Sequence, residues 1–393
     1  MKLPKGFLAS GIRAGIRKKR PDLALIVAED GANAAAVFTT NRFQAAPVVL
    51  SRAALKKSDG RVKAVLINAG CANAITGQPG LIAAKNVRTR TAQALSCAEE
   101  EVFLASTGVI GVTLPDRKII EAIPDAIARL SASGIDAASH AILTTDIGPK
   151  VAQASFTLGG RRGKIAGLAK GAGMIHPNMA TMLGFIMTDA AATPQFLQMA
   201  LHEAVEQTFN AITVDGDTST NDTVLLLASG KLGAKTLRNR SDGSDFRRAL
   251  LEVCRQLAWM IVRDGEGATR VMQVEVLGAR SEREAKLAAH AVATSPLVKT
   301  ALHGGDPNWG RILAAIGRSG VRFSTRRISL AAGPVKLVEN GTPAKYRERD
   351  AAKVFQRELV PITIDLKSGS SKATLLASDL GHDYVSVNAD YRS

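Results

Sequence analysis

The sequence predicts a mixed α/β (α+β) protein with two folded parts, and three observations carry that prediction. Short apolar, β-branched runs alternate with stretches of helical periodicity along all 393 residues. Hydrophobic residues make up 46% of the chain but aromatics only 4%, so the cores are built from Ala, Val, Leu and Ile. Polar, glycine-rich loops punctuate the elements, with no low-complexity linker or internal repeat. A chain of this length has room for two or three cores. The pattern places a main domain at 1–275 and a smaller α/β domain at 276–393.

The elements follow in order. "DLALIVAE" (22–29) and "AVLINAG" (64–70) read as buried strands, and "FIMTDA" (185–190) continues a strand opening at Thr181. Thr193 and Pro194 stand as N-cap and first helical residue. Leu197, Ala200, Leu201, Ala204 and Val205 then recur on one helical face. A second helix from Ser244 should bury Phe246, Leu250, Val253, Cys254, Leu257 and Ile261. "RVMQVEV" (270–276) alternates as a half-buried strand, and Ser281 with Glu284 forms a capping-box pattern.

Composition narrows the function. No apolar run approaches the roughly 18 to 20 residues that span a bilayer. Three scattered cysteines, Cys71, Cys97 and Cys254, fit neither a disulfide framework nor a Cys-rich metal site, and suit a reducing compartment. The start is basic but lacks the apolar core of a signal peptide. The net charge of +16 is spread out, few aromatics are present to stack on bases, and no nucleic-acid motif is visible. A solvated basic surface that draws in anionic substrates fits better than specific nucleic-acid binding.

The expected chemistry centres on "KGAGMIHPNMATMLGF" (170–185). The chain contains no Walker loop, dinucleotide fingerprint, G-x-S-x-G elbow or H-E-x-x-H motif. Its six histidines have no ligand spacing, so no metal site is expected. Thr181 admits two readings: β-branched filler at a strand mouth, or a nucleophile. A threonine hydroxyl is too weak to attack unaided, but a free α-amine on the same residue can serve as its base. That requires cutting Ala180–Thr181, and a small residue before the threonine in a glycine- and proline-rich loop permits the strained N→O acyl shift. His176 in the same loop is a packing residue or a base. "DGDTSTND" (215–222) has closely spaced acids but lacks the calcium-loop pattern, and reads as a turn-rich structural loop. "DPNWGR" (306–311) also reads as structural, with Asp306 and Arg311 as a pair. Cys71 reads as a small buried residue.

"KGAGMIHPNMATML" resembles the signature of the ornithine acetyltransferase family. Further blocks resemble it in family order: "AAVFTTNRFQAAPV", "NAGCANAITG", "ASTGVIG", "TTDIGPK", "FNAITVDGDTSTNDT", "DGEGAT", "SPLVKTALHGGDPNWGRI" and "VNADYRS". The resemblance implies a layered αββα main domain of the self-cleaving N-terminal-nucleophile type, whose site the last residues of the chain help to close. It implies cleavage into residues 1–180 (α) and 181–393 (β), with Thr181 carrying acetyl as an ester and its amine as base. Thr107 and Gly108 would form the oxyanion hole. Substrate would be bound by Thr144 or Thr145, Lys170, Thr181, Glu266, Asn388 and Ser393.

The implied reaction is ping-pong acetyl transfer from N-acetylornithine to glutamate, in arginine biosynthesis. It uses no cofactor, and acetyl-CoA as a second donor is left open. The family further implies a heterotetramer of two α and two β pieces. Its match from Lys5 onwards favours the cytoplasm. His176, Ile147 and Gly184 depart from the usual family wording, and Ile147 and His176 leave acceptor preference open. A self-cleaving aminopeptidase or amidohydrolase is the nearer alternative, and a non-catalytic nucleic-acid-binding protein the distant one.

Overall fold

A computed structural model describes residues 1–176 and 182–390. Their elements, in chain order, begin with β1 (Phe7–Ile12), β2 (Leu23–Phe38), α1 (Ala46–Lys57), β3 (Arg61–Cys71), α2 (Gly77–Ala94), β4 (Val102–Val109), α3 (Asp116–Ala128) and α4 (Ile135–Ala141). Then come β5 (Lys150–Leu158), β6 (Arg161–Lys170), β7 (Leu183–Thr188), α5 (Pro194–Glu206), β8 (Ile212–Thr213), β9 (Thr223–Ala228) and α6 (Ser244–Arg263). The remainder is β10 (Val271–Ala279), α7 (Glu282–Ala293), α8 (Pro296–His303), α9 (Trp309–Gly317), β11 (Ser329–Ala332), β12 (Val335–Glu339), β13 (Thr342–Pro343), α10 (Glu348–Phe355), β14 (Leu359–Asp365), β15 (Ser371–Ser378) and α11 (His382–Asp390).

The chain divides into one unit of residues 1–210 and 217–261 and a second of 211–216 and 262–392. The division of these units falls near 261. β10 pairs with β14 and β15, and the short β8 pairs with β15, so these segments join the second sheet. Periodicity identifies such strands, but only long-range pairing decides which sheet takes them.

In the first unit the strands run β4-β3-β2-β9-β7-β6-β5, with β1 beside β2. β2 is 16 residues long and pairs with β3 mainly through its first half and with β9 through its second. Between Val27 and Ala32 its register shifts. Gly31 at φ +74° supplies within that shift a backbone angle that other residues rarely adopt. The two arms share one core: Ala24, Ile26, Val65, Ile67 and Phe103 from one meet Ala34, Ala36, Leu168, Phe185 and Leu225 from the other. Burial on that inner face is near complete, which gives the largest favourable term available to such a chain.

On the outside of the first arm, Leu23, Leu25, Leu66 and Leu104 pack with Ala83 and Val87 of α2 and Ile119 of α3. Against β6, Val253 and Leu257 of α6 close over Gly167. Helices thus cover the sheet at both β3–β4 and β6. The Thr193 cap forms as read, accepting from the Phe196 N–H at 3.3 Å. α6 buries all six residues assigned to its inner face.

The second unit is a mixed sheet in the order β13-β12-β11-β14-β10-β15-β8. Its core joins Val274 and Val276 of β10 to Ala285, Ala288 and Val292 of α7 and Ile312 and Ile316 of α9. Ser281 caps α7 by accepting from Glu284 N at 3.2 Å, but Glu284 Oε2 is buried without a hydrogen-bond partner among the described residues. Half of the expected capping box forms. Arg311 donates to the Leu297 carbonyl at 2.9 Å instead of pairing with Asp306, which accepts from Asn308 Nδ2 at 3.0 Å.

Candidate active site

The expected nucleophile Thr181, its neighbour Ala180, and Ser393 lie outside the described residues. In the first unit the segment Ser219–Asp222 is a hub of hydrogen bonds. Thr39 Oγ1 donates to the Ser219 carbonyl at 2.6 Å, and Ala45 N to the Thr220 carbonyl at 3.0 Å. Asn221 Nδ2 donates to the carbonyls of Ala72 at 2.7 Å and Ser106 at 2.8 Å. Met182 N–H donates to Asp222 Oδ1 at 3.0 Å. One short loop therefore ties the ends of β3 and β4 to the start of β7. Its sequence reads as a turn-rich structural loop near the site, and no spacing rule marks a residue whose partners are backbone groups far away in the chain.

Thr107 and Gly108 sit at the end of β4, where the register with β3 shifts at Gly70 and Cys71. Thr107 is buried. Gly108 has φ +129°, and a Cβ there would lie 2.4 Å from the Gly70 carbonyl carbon and 2.6 Å from the Cys71 nitrogen. Only glycine fits. The turn is braced by Ser106 Oγ, which donates to Asn68 Oδ1 at 2.6 Å, while Asn68 Nδ2 donates to the Cys71 carbonyl at 2.9 Å. A braced turn of this kind can hold an N–H and a hydroxyl where negative charge develops.

Lys170, at the end of β6, is buried together with Lys150 and Asp146. Asp146 accepts from Lys150 Nζ at 2.7 Å, from Gly171 N at 2.7 Å and from Thr144 N at 3.0 Å, and Lys170 Nζ lies 3.8 Å from its second oxygen. Burial would raise the Asp146 pKa, but the two ammonium groups and these hydrogen bonds outweigh it and hold the carboxyl well below its usual range. Asp146 lies inside "TTDIGPK", where no local pattern marks it as buried. Thr144 is buried and its N–H is committed to Asp146, whereas Thr145 is half-buried. Ile147 is 85% exposed. His176 is half-buried; burial lowers its pKa and the charge of Asp217 raises it in part.

In the second unit Glu266 and Asn388 meet: Asn388 Nδ2 donates to Glu266 Oε2 at 2.7 Å and to the Tyr384 carbonyl at 2.9 Å. The loop carrying Glu266 is pinned by Asp379, which accepts from Thr269 N, Thr269 Oγ1 and Arg270 N. His303 Nδ1 lies 2.8 Å from the same carboxylate. Gly267 at φ +68° closes this loop, since a Cβ there would lie 2.5 Å from the Tyr384 nitrogen. Among the described residues no group of three or more His, Cys, Asp or Glu could hold a metal ion, and no helix is long and apolar enough to cross a membrane.

A glycine-only turn with two donors, a buried lysine pair around a carboxylate, and a strand that begins just after a threonine are the equipment of an acyl-transferring enzyme on a layered α/β fold. The chain belongs to the ArgJ family, whose model matches residues 8–393.

The arginine biosynthesis bifunctional protein ArgJ of Caldanaerobacter subterraneus is 45% identical over 398 residues, covering 100% of this chain and 98% of that one. Its namesake from Chlorobaculum tepidum is 46% identical over 390 residues, covering 99% and 96%. A crystal structure of arginine biosynthesis bifunctional protein ArgJ from Bacillus halodurans aligns at 42% identity with a TM-score of 0.51, covering 53% of this chain and 98% of that one.

Proposed function

We propose that this chain is a glutamate N-acetyltransferase of arginine biosynthesis, which moves acetyl from N-acetylornithine to glutamate through an ester on Thr181. The observation that carries the reading is the family match over residues 8–393, which takes in the "NMAT" segment and every residue assigned a role above. The Thr181 hydroxyl would attack the acetyl carbonyl while its α-amine takes the proton. Thr107 and Gly108 would stabilise the oxyanion, and ornithine would leave with the proton. Glutamate would then take the acetyl group by the reverse sequence. Lys170 suits a substrate carboxylate, and Glu266 with Asn388 suits a substrate ammonium. Thr144 or Thr145 and Ser393 complete the proposed contacts. The exchange passes one acetyl group between two amines and calls for no cofactor.

The same proposal includes self-cleavage between Ala180 and Thr181, assembly of two α and two β pieces, and action in the cytoplasm. A piece starting at Thr181 has 213 of 393 residues, about 54% of the chain. The Bacillus halodurans chain, almost all of it aligned, matches 53%. That agreement supports a break near this point. The relatives are named bifunctional, and the proposal extends to acetyl-CoA as a second donor to Thr181.

Intact mass of the purified protein beside Thr181→Ala tests the reading. Two fragments meeting at Ala180 and Thr181 in the wild type, and one chain in the variant, are expected. Acetylglutamate formation from N-acetylornithine and glutamate is then the assay. Acetate release without transfer would favour the hydrolase alternative, and an uncleaved wild type would sink the mechanism.

A further inference from the structure

Glu266 is set between two glycines that press on a later stretch of the second unit. A Cβ at Gly265 would lie 3.2 Å from the Ser378 Cβ, and one at Gly267 2.5 Å from the Tyr384 nitrogen. The stretch 378–384 is thus the surface against which the Glu266 loop is shaped, and it runs on into α11, the helix that carries Asn388. Whatever fixes this stretch fixes the Glu266 carboxylate.

Helix α8 supplies the grip. Lys299 Nζ donates to the Ser378 carbonyl, and Leu380 N to the Lys299 carbonyl at 3.2 Å. His303 follows one turn later on the same helical face. Its Nδ1 lies 2.8 Å from Asp379 Oδ2, and its ring is packed against Gly381, where a Cβ would stand 2.7 Å from Nδ1 and 2.8 Å from Nε2. Arg270, at the end of the Glu266 loop, returns the contact: its Nη1 donates to the His303 carbonyl at 2.6 Å.

Asp379 is the joint between them. It is buried, and four donors converge on its carboxylate: Thr269 N, Thr269 Oγ1 and Arg270 N from the Glu266 loop, and His303 Nδ1 from α8. An ionised carboxylate only accepts, so the imidazole hydrogen sits on Nδ1. A buried acceptor that loses a donor cannot turn to water for another without moving. The carboxylate would then shift, and Thr269 and Arg270 with it.

We propose that His303 is a positioning residue for Glu266, acting through Asp379 and the loop 264–270. The inference rests on the reading of Glu266 as the contact for the substrate ammonium. The imidazole touches no substrate and moves no proton. It fixes the place of a carboxylate whose attraction for a cation falls off with distance. Substrate binding should therefore respond to its loss, and the acyl-transfer step should not.

Steady-state kinetics of acetyl transfer from N-acetylornithine to glutamate test it. His303→Ala should raise KM for N-acetylornithine about tenfold and leave kcat within about twofold. His303→Asn, whose Nδ2 can take the place of Nδ1, should recover most of that loss. His303→Phe keeps a ring beside Gly381 but no donor, and should not. If the alanine variant fails to fold, the asparagine and phenylalanine variants carry the decision. Added to Glu266→Gln, His303→Ala should change KM by less than about twofold, because its effect runs through that carboxylate. An unchanged KM in His303→Ala beside a raised one in Glu266→Gln overturns the role of His303 alone. So does a fall in kcat at constant KM, rescue by phenylalanine and not by asparagine, or a penalty that multiplies with that of Glu266→Gln. An unchanged KM in Glu266→Gln overturns the reading of Glu266 itself, and the inference with it.

Discussion

Asp146 and Lys170 form a buried ion pair, Oδ2 to Nζ 3.8 Å, and the tighter contact to the same carboxylate belongs to Lys150 at 2.7 Å. Two ammonium groups therefore share one carboxylate in a setting that water does not reach. Removing the shared negative charge leaves them facing each other. Asp146→Asn should lower stability by about 3 to 5 kcal/mol, the range for breaking a buried ion pair.

The sign of the pH effect follows from the depressed carboxyl pKa. The ionised group's contribution is present above its unfolded pKa of about 3.9 and is lost as pH falls towards the folded value. Urea midpoints measured from pH 6 down to pH 2 should drop for the wild type more steeply than for Asp146→Asn. Parallel curves would mean that the pair carries no such linkage.

Gly108 offers a steric test of the oxyanion assignment. Its missing Cβ is met by backbone atoms on both sides, at 2.4 and 2.6 Å. Gly108→Ala must displace the turn and should reduce acetyl transfer at least about 100-fold. Thr107→Val removes only a hydroxyl and should cut kcat by about 10² to 10³ with KM little changed. If KM rises and kcat holds, Thr107 binds substrate in its ground state instead.

Asn388 reaches Glu266 at 2.7 Å within the second unit. Asn388→Ala should loosen that carboxylate and raise KM for N-acetylornithine about tenfold, corresponding to one hydrogen bond to a charged group. Glu266→Gln should raise KM further, and the double variant should resemble Glu266→Gln alone. Additive effects would separate the two residues functionally.

Lys299 is buried on α8 with its ammonium group donating to the Ser378 carbonyl. Burial lowers its pKa to about 8, against the charges of Asp379 and Asp215, which raise it. The unfolded chain holds this proton up to about pH 10.4, so stability should rise as pH climbs from about 8 towards that value, by about 3 kcal/mol in all. Lys299→Met should lack the rise. The difference between the two melting curves is the measurement, and a constant offset from pH 7 to 10 would contradict the assignment.

Much of this architecture was legible in local patterns. Thr193 before Pro194 and the three-and-four spacing of α6 name their helices because caps and amphipathic faces are local properties. The break near 261 was not legible, since residues 211–216 join the second sheet through pairing with β15, some 160 positions away in the chain. Arg311 and Asp306 looked like partners in sequence, yet the α9 turn sends the guanidinium to the Leu297 carbonyl. The contacts of Asp146, Asn221 and Asp222 are not legible in sequence for a related reason. Their roles depend on buried neighbours, and isolated acids and amides in polar loops are ordinarily solvated.

The sequence by itself determined the reaction class, because a chemical motif such as "NMAT" in its glycine-rich loop and the ordered family blocks around it are written in residue identities. It also determined the helices that open at Thr193, Ser244 and Ser281 and the strands around 22–29, 64–70, 185–190 and 270–276, whose periodicities are set by backbone geometry. Only the tertiary structure decided that β2 shifts register between Val27 and Ala32 and joins β3 to β9 in one eight-stranded sheet, that Gly108 admits no side chain, and that one loop binds both the Ser106 turn and Met182. Those outcomes depend on burial and on hydrogen bonds between distant segments, which exist only once the core has closed.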